Sequence, residues 1–411
     1  MGGRTRDALG DPEFKKLSVL ITTAFIDMVG FLMVAPLLPF YALNLRASPV
    51  MIGAVMAIYP LAQLASAPFW GWVSDRHGRR PALLAGLAAS AVAYAVFGLA
   101  TSVWFLLASR LIQGAGGGTT GVVHAYVSDS IEPARRAAAL GWLTAATSLG
   151  VAIGPVIGAV ALHLGNIVPG LLAALLCLLN VFFTWRWLPE SRLVGTTPPD
   201  GLKRKPVVWS TLWSVVAKPT QPVSRLIWIY GAGMLGFSAM NSVFALFLGD
   251  RFGVTARNIW VPYTYIGILS VVMRGLVLGP VVKRVGEAGA MRLGTVSLVI
   301  GLVVYPLVPS VWMLPFIMPL IPIGTALLFP ATTALMSRAS DPATMGVTMG
   351  VAQTFAGTAR VLAPLIATST FQRFGSGMPF VVAAVIVAGV GVLAFRLPVS
   401  MTRPAEGAGV L

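Results

Sequence analysis

The sequence predicts an all-α, polytopic membrane protein with twelve transmembrane helices in two pseudo-symmetric six-helix bundles. Three observations lead there. The chain of 411 residues is 57% hydrophobic and only 10% charged, with a mean hydropathy of +0.84, whereas a soluble globular domain carries about 25% charged residues. Its apolar residues come in long runs, and a helix needs roughly 20 of them to cross a bilayer. Finally, the second half of the chain repeats the first. Barrel strands are shorter and alternate apolar with polar residues, and open strands leave backbone groups unsatisfied in lipid, so helices are the only reading.

In order, the first half carries spans near 17–43, 49–74, 80–99, 101–125, 136–162 and 166–188. The second carries spans near 224–248, 256–281, 290–308, 311–335, 343–370 and 378–397, with Pro306, Pro309, Pro315, Pro319 and Pro322 crowded around the ninth and tenth. Residues 1–16 form a cytoplasmic N-terminal segment, 17–188 the first bundle, 189–223 a cytoplasmic linker, 224–397 the second bundle and 398–411 a cytoplasmic tail. The linker is polar, with Arg192, Lys203, Arg204 and Lys205 among Pro198, Pro199 and Pro206, and has no apolar run long enough to span. The run from Leu17 is too long for a signal peptide and reads as the first span.

Net charge is +16, from 29 basic and 13 acidic residues. With both termini inside, 22 of the 29 basic residues fall in inner segments and four (Arg46, Arg251, Arg257, Arg373) in outer loops, while Arg110, Arg274 and Arg360 lie within spans. That bias places both termini in the cytoplasm. The charges lie in short runs between spans rather than on one polar face, so the partner is the lipid bilayer and not nucleic acid. The single cysteine, Cys177, excludes an internal disulfide and a cysteine metal cluster. No metal-ligand spacing and no nucleophile with an oriented base appears, so neither an enzyme nor a bound cofactor is expected.

The repeat is visible residue by residue. Ser128–Gly141 lies over Ser337–Gly350 at an offset of 209, which matches Pro133 with Pro342 and Gly141 with Gly350; Pro155 then falls on Pro364. At an offset of 208, Gly71 and Gly78 fall on Gly279 and Gly286, while Lys283 replaces Asp75 and Glu287 replaces Arg79. Internal symmetry of this kind suits alternating access to a site held between two equivalent bundles.

Asp27 lies about ten residues into the first span, about 15 Å deep at 1.5 Å per residue, and is the only acid at mid-membrane. A carboxylate there is expensive to insert, which points to a proton-carrying role; a structural ion pair or helix-locking hydrogen bond is the alternative. Arg110, about nine residues into the fourth span, is its natural partner at similar depth, with Gln113 at i+3 on the same helix face. Arg274, near the inner end of its helix, reads as a snorkelling residue. Arg360 is divided between substrate contact and domain packing. Other positions that could line a cavity are Tyr59, Gln63, His124, Tyr230, Asn241 and Gln353, together with Trp142, Asn180 and Tyr263. Gly150, Gly154 and Gly158 form a small-residue stripe which, with the kink at Pro155, suits a close sliding contact between the bundles.

These residues carry a resemblance. Gly71-Trp-Val-Ser-Asp75-Arg76-His-Gly78-Arg79-Arg80-Pro81 resembles the signature loop of the major facilitator superfamily. Arg110 with Gln113-Gly114 is similar to that family's fourth-helix motif, and Gly150-x-x-x-Gly154-Pro155-x-x-Gly158 to its antiporter motif. Asp27-x-x-Gly30 with Pro36 and Pro39 resembles the tetracycline-exporter branch of the twelve-helix drug:proton antiporters. The resemblance implies a major facilitator fold whose first, fourth, seventh and tenth helices line a central cavity, driven by the proton gradient without a cofactor. It also adds Asp129 to the loop network of Asp75, Arg76, Arg79 and Arg80, which would hold an inner gate.

Two functions follow as expectations. The first is proton-coupled antiport, or efflux, of small amphiphilic or lipophilic compounds by alternating access, with Asp27 carrying the proton. The second is a dedicated transporter of one metabolite (sugar, amino acid, lipid or siderophore), anionic or zwitterionic given Arg110, Arg274 and Arg360. The expected partners are a small-molecule substrate and protons, the expected state a functional monomer, and the expected location a bacterial inner membrane.

Overall fold

The computed structural model describes residues 12–117, 120–191, 204–341 and 344–396. Most of the N-terminal segment, residues 192–203 of the linker and the tail from 397 lie outside the described residues. The protein is an all-α, integral membrane protein of twelve spans.

The first span is α1 (Pro12–Val34) followed by α2 (Leu38–Asn44). The break between them is local chemistry: Pro36 and Pro39 lack an N–H and crowd the preceding turn. The second and third spans are α3 (Pro49–His77) and α4 (Arg79–Gly98). The fourth carries α5 (Val103–Gly117) and α6 (Thr120–Ser130), with residues 118–119 outside the described residues, and α7 (Pro133–His163) and α8 (Val168–Trp187) complete the half. The linker contributes a 14-residue helix, α9 (Arg204–Ala217). The indole N–H of Trp228 donates to the Val215 carbonyl at 3.1 Å and docks α9 on the seventh span, α10 (Pro222–Phe252).

The eighth and ninth spans differ from the sequence expectation. A single non-helical residue, Gly286, separates them in place of a loop. α11 (Trp260–Val272) runs through a π-helical turn at Met273–Val277 into α12 (Leu278–Val304), which bends at Gly286 with φ 72° and ψ 174°. One glycine makes the turn because only glycine takes this backbone conformation without strain. The proline-rich stretch forms two short 3₁₀ turns and α13 (Leu314–Ile317) before the tenth span, α14 (Leu320–Ala339). α15 (Met345–Phe374) and α16 (Met378–Phe395) are the eleventh and twelfth.

Contacts divide the chain into two compact units. Unit 1 holds residues 1–47, 54–197 and 254–268; unit 2 holds 48–53, 198–253 and 269–411. Within unit 1, Val19 and Leu20 of α1 pack with Leu83 of α4, Tyr126 and Val127 of α6 and Leu143 of α7. Unit 2 is cored by aromatic rings: Phe380 stacks on Tyr305 at 5.9 Å and meets Phe247 edge-on at 4.9 Å.

The glycine stripe of α7 corrects one expectation. It does not serve as a sliding surface between bundles but faces α1 inside unit 1. A Cβ on Gly150 would stand 2.9 Å from Met28, one on Gly154 2.8 Å from Leu32, and one on Gly158 2.5 Å from the Met33 carbonyl oxygen. The missing side chains let the two backbones touch, which fixes α1 and the residues it carries. Pro155 lies within α7 and does not end the helix.

Candidate functional site

Asp27 sits on one stripe of α1 with Thr23 and Gly30, at spacing i, i+4, i+7. Thr23 ties this stripe to α8: its carbonyl accepts from Asn180 Nδ2 at 3.1 Å, and its hydroxyl meets the Thr184 hydroxyl at 3.1 Å. Gly30 faces α4, where a Cβ would lie 3.4 Å from the Tyr94 ring. Cys177, on the same α8 face as Asn180 and Thr184, is fully buried. Asp27 therefore stands between α4 and α8, half-buried, with no ion pair or hydrogen bond among the described residues.

Arg110 does not pair with it. Arg110 is 3% exposed; its Nη1 donates to Gln113 Oε1 at 2.7 Å, and its Cζ lies 5.9 Å from the Phe97 ring centroid. Its Nε and Nη2 are buried with no partner among the described residues. Gln113 in turn donates from Nε2 to the Tyr94 hydroxyl oxygen at 2.6 Å. The sequence reading passed over Tyr94, although it is the only titratable residue of α4 after the opening Arg79-Arg80 pair. Its isolation in an apolar run was the available signal.

A second cluster gathers at the basic end of unit 1. Arg79 Nη1 meets Asp75 at 2.7 Å and the Ser74 hydroxyl at 2.9 Å, and its Nε meets Asp129 at 2.9 Å. Arg76 lies over the Trp72 ring at 5.6 Å, and Arg80 donates to the Trp185 carbonyl. Gly71 lies within α3 and is open on its Cβ side, so it makes no turn and no close approach. Gly78 is different: its φ is 104°, and a Cβ there would overlap the Glu190 carboxylate. Glu190 accepts from the backbone N–H groups of Arg79 at 2.8 Å and Arg80 at 3.1 Å, capping α4. Sequence reasoning missed Glu190, because a linker acid 110 residues from the helix start it caps gives no local signal.

The remaining candidates fall in separate places. Gln63 Nε2 donates to the Gly117 carbonyl at 3.1 Å, and Tyr59 lies 5.5 Å from the Phe31 ring, both within unit 1. His124 is exposed. In unit 2, Gln353 Nε2 approaches the Tyr230 hydroxyl at 3.4 Å, and Arg360 Nε bonds its own helix at the Ala356 carbonyl, also at 3.4 Å. Asn241 and Arg274 are exposed, the latter on the π-helical turn. Among the described residues no group of three His, Cys, Asp or Glu side chains is placed to hold a metal ion.

A model of the Major Facilitator Superfamily matches residues 20–364. The chain is 30% identical to the tetracycline resistance protein, class C, of Escherichia coli, over 90% of this chain and 94% of that one. It is 26% identical to multidrug resistance protein 2 of Bacillus subtilis (strain 168), over 91% and 93%. A crystal structure of a POT family transporter in complex with 5-aminolevulinic acid superposes with a TM-score of 0.77, over 94% of this chain and 96% of that one; at 16% identity this shows a shared fold. Twelve spans, an internal repeat and a match over most of the chain make this protein a secondary-active transporter of small molecules, and it belongs to the Major Facilitator Superfamily.

Proposed function

We propose that the protein is a proton-coupled antiporter that exports small amphiphilic or lipophilic compounds by alternating access. One observation carries the reading: Asp27, the sole acid at mid-span, is held half-buried without an ion pair or hydrogen bond among the described residues. A structural carboxylate in lipid would be neutralised by a partner; an unpaired one is free to bind and release a proton. The similarity to tetracycline and multidrug resistance proteins supports the exporter branch and a bacterial inner membrane. In this reading bundles 17–188 and 224–397 rock about the linker 189–223, with both termini cytoplasmic. The Asp75–Arg79–Asp129 cluster is the inner gate, and Tyr230 and Gln353 contact substrate.

A second reading has its own observation. The two nitrogens of buried Arg110 with no partner among the described residues favour an anionic group, as a dedicated transporter of one anionic or zwitterionic metabolite would need. Proteoliposomes holding the full chain, assayed with tetracycline and with the lipophilic cation ethidium, separate the two. Antiport requires that a pH gradient drive at least one of them uphill in wild type and neither in Asp27→Asn. Wild-type export by Asp27→Asn would remove the coupling role; failure of both probes in wild type would favour the metabolite transporter.

A further inference from the structure

We propose that Arg110, Gln113 and Tyr94 form a one-way hydrogen-bond chain that ends on the Asp27 carboxylate, with Tyr94 as a positioning residue for proton coupling. The inference rests on Asp27 being the proton carrier.

The direction of the chain follows from donor chemistry. A guanidinium only donates, so Gln113 must present its oxygen to Arg110, at 2.7 Å, which fixes the amide orientation. The Gln113 NH₂ then points at Tyr94, whose oxygen accepts at 2.6 Å. Tyr94 is 1% exposed, and its own O–H hydrogen is left to donate onward. A buried donor without an acceptor is destabilising, so the hydroxyl needs an onward partner.

Asp27 is the strongest acceptor within electrostatic reach of that hydroxyl. A Cβ on Gly30 would lie 3.8 Å from the Tyr94 oxygen, and Asp27 is one turn away on the same face of α1. The other groups around it are few. The α8 helix offers the Cys177 thiol, a weak acceptor; α5 offers Arg110 and α3 offers Tyr59, both within electrostatic reach of Tyr94. The α7 helix has no titratable side chain between Arg136 and His163. On α6, His124 is exposed and Tyr126 packs near Val19 and Leu20, about two turns from Asp27. In the structure the last link is open, as suits a protonated Asp27. A rotamer change at Asp27 or one bridging water closes it when the carboxylate forms.

The second repeat shows that the fold does not need this chain. At the offset of 208, Asp27 and Tyr94 become Leu235 and Leu302; at the offset of 209 that aligns the fourth span, Arg110 and Gln113 become Pro319 and Pro322, so all four positions are apolar. Leu302 and Pro322 are buried, so the equivalent helices pack with hydrocarbon in these places. Each link in low dielectric polarises the next, and a hydrogen bond to the charged form of an acid favours that form. Arg110 thus supports the ionised Asp27 through two intermediates.

The test is a pH titration of the carboxylic-acid C=O band by difference infrared spectroscopy on the purified full chain, with Asp27→Asn identifying the band. Tyr94→Phe keeps the ring and removes the hydroxyl; its midpoint should move about one unit to higher pH, tenfold in proton affinity. Gln113→Leu should give the same shift, and the double variant no more than either single, because one broken link opens the whole chain. An unshifted midpoint in Tyr94→Phe, or additive shifts in the double variant, overturns the proposal; Gln113→Leu decides it alone if Tyr94→Phe fails to fold. The absence of any Asp27-dependent band overturns it too. A titrating band that responds to Tyr94 while Asp27→Asn still exports would sustain the chain and sink only the antiport reading.

Discussion

The Glu287 carboxylate meets the Arg338 guanidinium at 2.9 Å, and the two stand where Arg79 and Asp129 stand in the first repeat with the charges exchanged. Lys283 likewise replaces Asp75. The turn geometry persists through this inversion: Gly78 and Gly286 both have positive φ, at 104° and 72°. In each repeat one ion pair ties the turn between the second and third helices to the end of the fourth.

Exchanging the partners tests whether the tie itself matters. Glu287→Arg and Arg338→Glu should each slow transport, and the double exchange should recover most of the wild-type rate. The melting temperature should barely respond, since a pair with one exposed partner contributes up to about 1 kcal/mol. A double variant no faster than the slower single would show that the pair is not the relevant contact.

Replacing Glu190 by alanine removes the cap on α4 and leaves the Arg79 and Arg80 N–H groups without their acceptor. A lost cap costs about 1–2 kcal/mol, so thermal unfolding in detergent should shift down by a few degrees. An unchanged melting temperature would mean that solvent replaces the carboxylate freely.

Alanine at Gly78 and at Gly286 should differ. Both meet backbone strain of roughly 1–3 kcal/mol, but only Gly78→Ala also collides with Glu190. The yield of folded protein, measured by size-exclusion chromatography, should fall further for Gly78→Ala. Equal losses would assign the whole effect to the backbone.

Much of this architecture is legible in the residues themselves. The runs around Ile52, Leu87 and Leu226 give spans by length alone, and the constant offset that aligns Gly78 with Gly286 gives the repeat. Span ends are less legible where helix continues through a turn. The stretch from Met273 to Gly286 reads as the end of one span and the start of a loop, yet it stays helical by passing through the π-helical turn at Met273–Val277 ahead of Pro280, and breaks only at Gly286. The site was legible in its charges and not in its wiring. Asp27 and Arg110 announce themselves by their cost in lipid, whereas Tyr94 is amphipathic and can pass for packing. The stripe of Gly150, Gly154 and Gly158 reveals a close contact, but spacing alone does not say with which helix.

Asp75 should govern the rate of switching rather than affinity. Asp75→Asn removes a 2.7 Å ion pair with Arg79 while leaving the Asp129 contact in place. A contact made in only one state biases the populations, so distances between spectroscopic probes on the ends of α3 and α15 should redistribute. Transport should slow while affinity in a locked state stays within a few-fold. Unmoved populations with slowed transport would place Asp75 in folding or binding instead.

The most direct test of the central claim is the count of protons released when substrate binds to the purified protein in weakly buffered solution. The transported probe from the proteoliposome assay serves as ligand. Wild type should release up to one proton per bound molecule, with a pH profile set by Asp27, and Asp27→Asn should bind the same ligand and release none. Equal proton release from wild type and Asp27→Asn would contradict the assignment of Asp27 as the coupling residue.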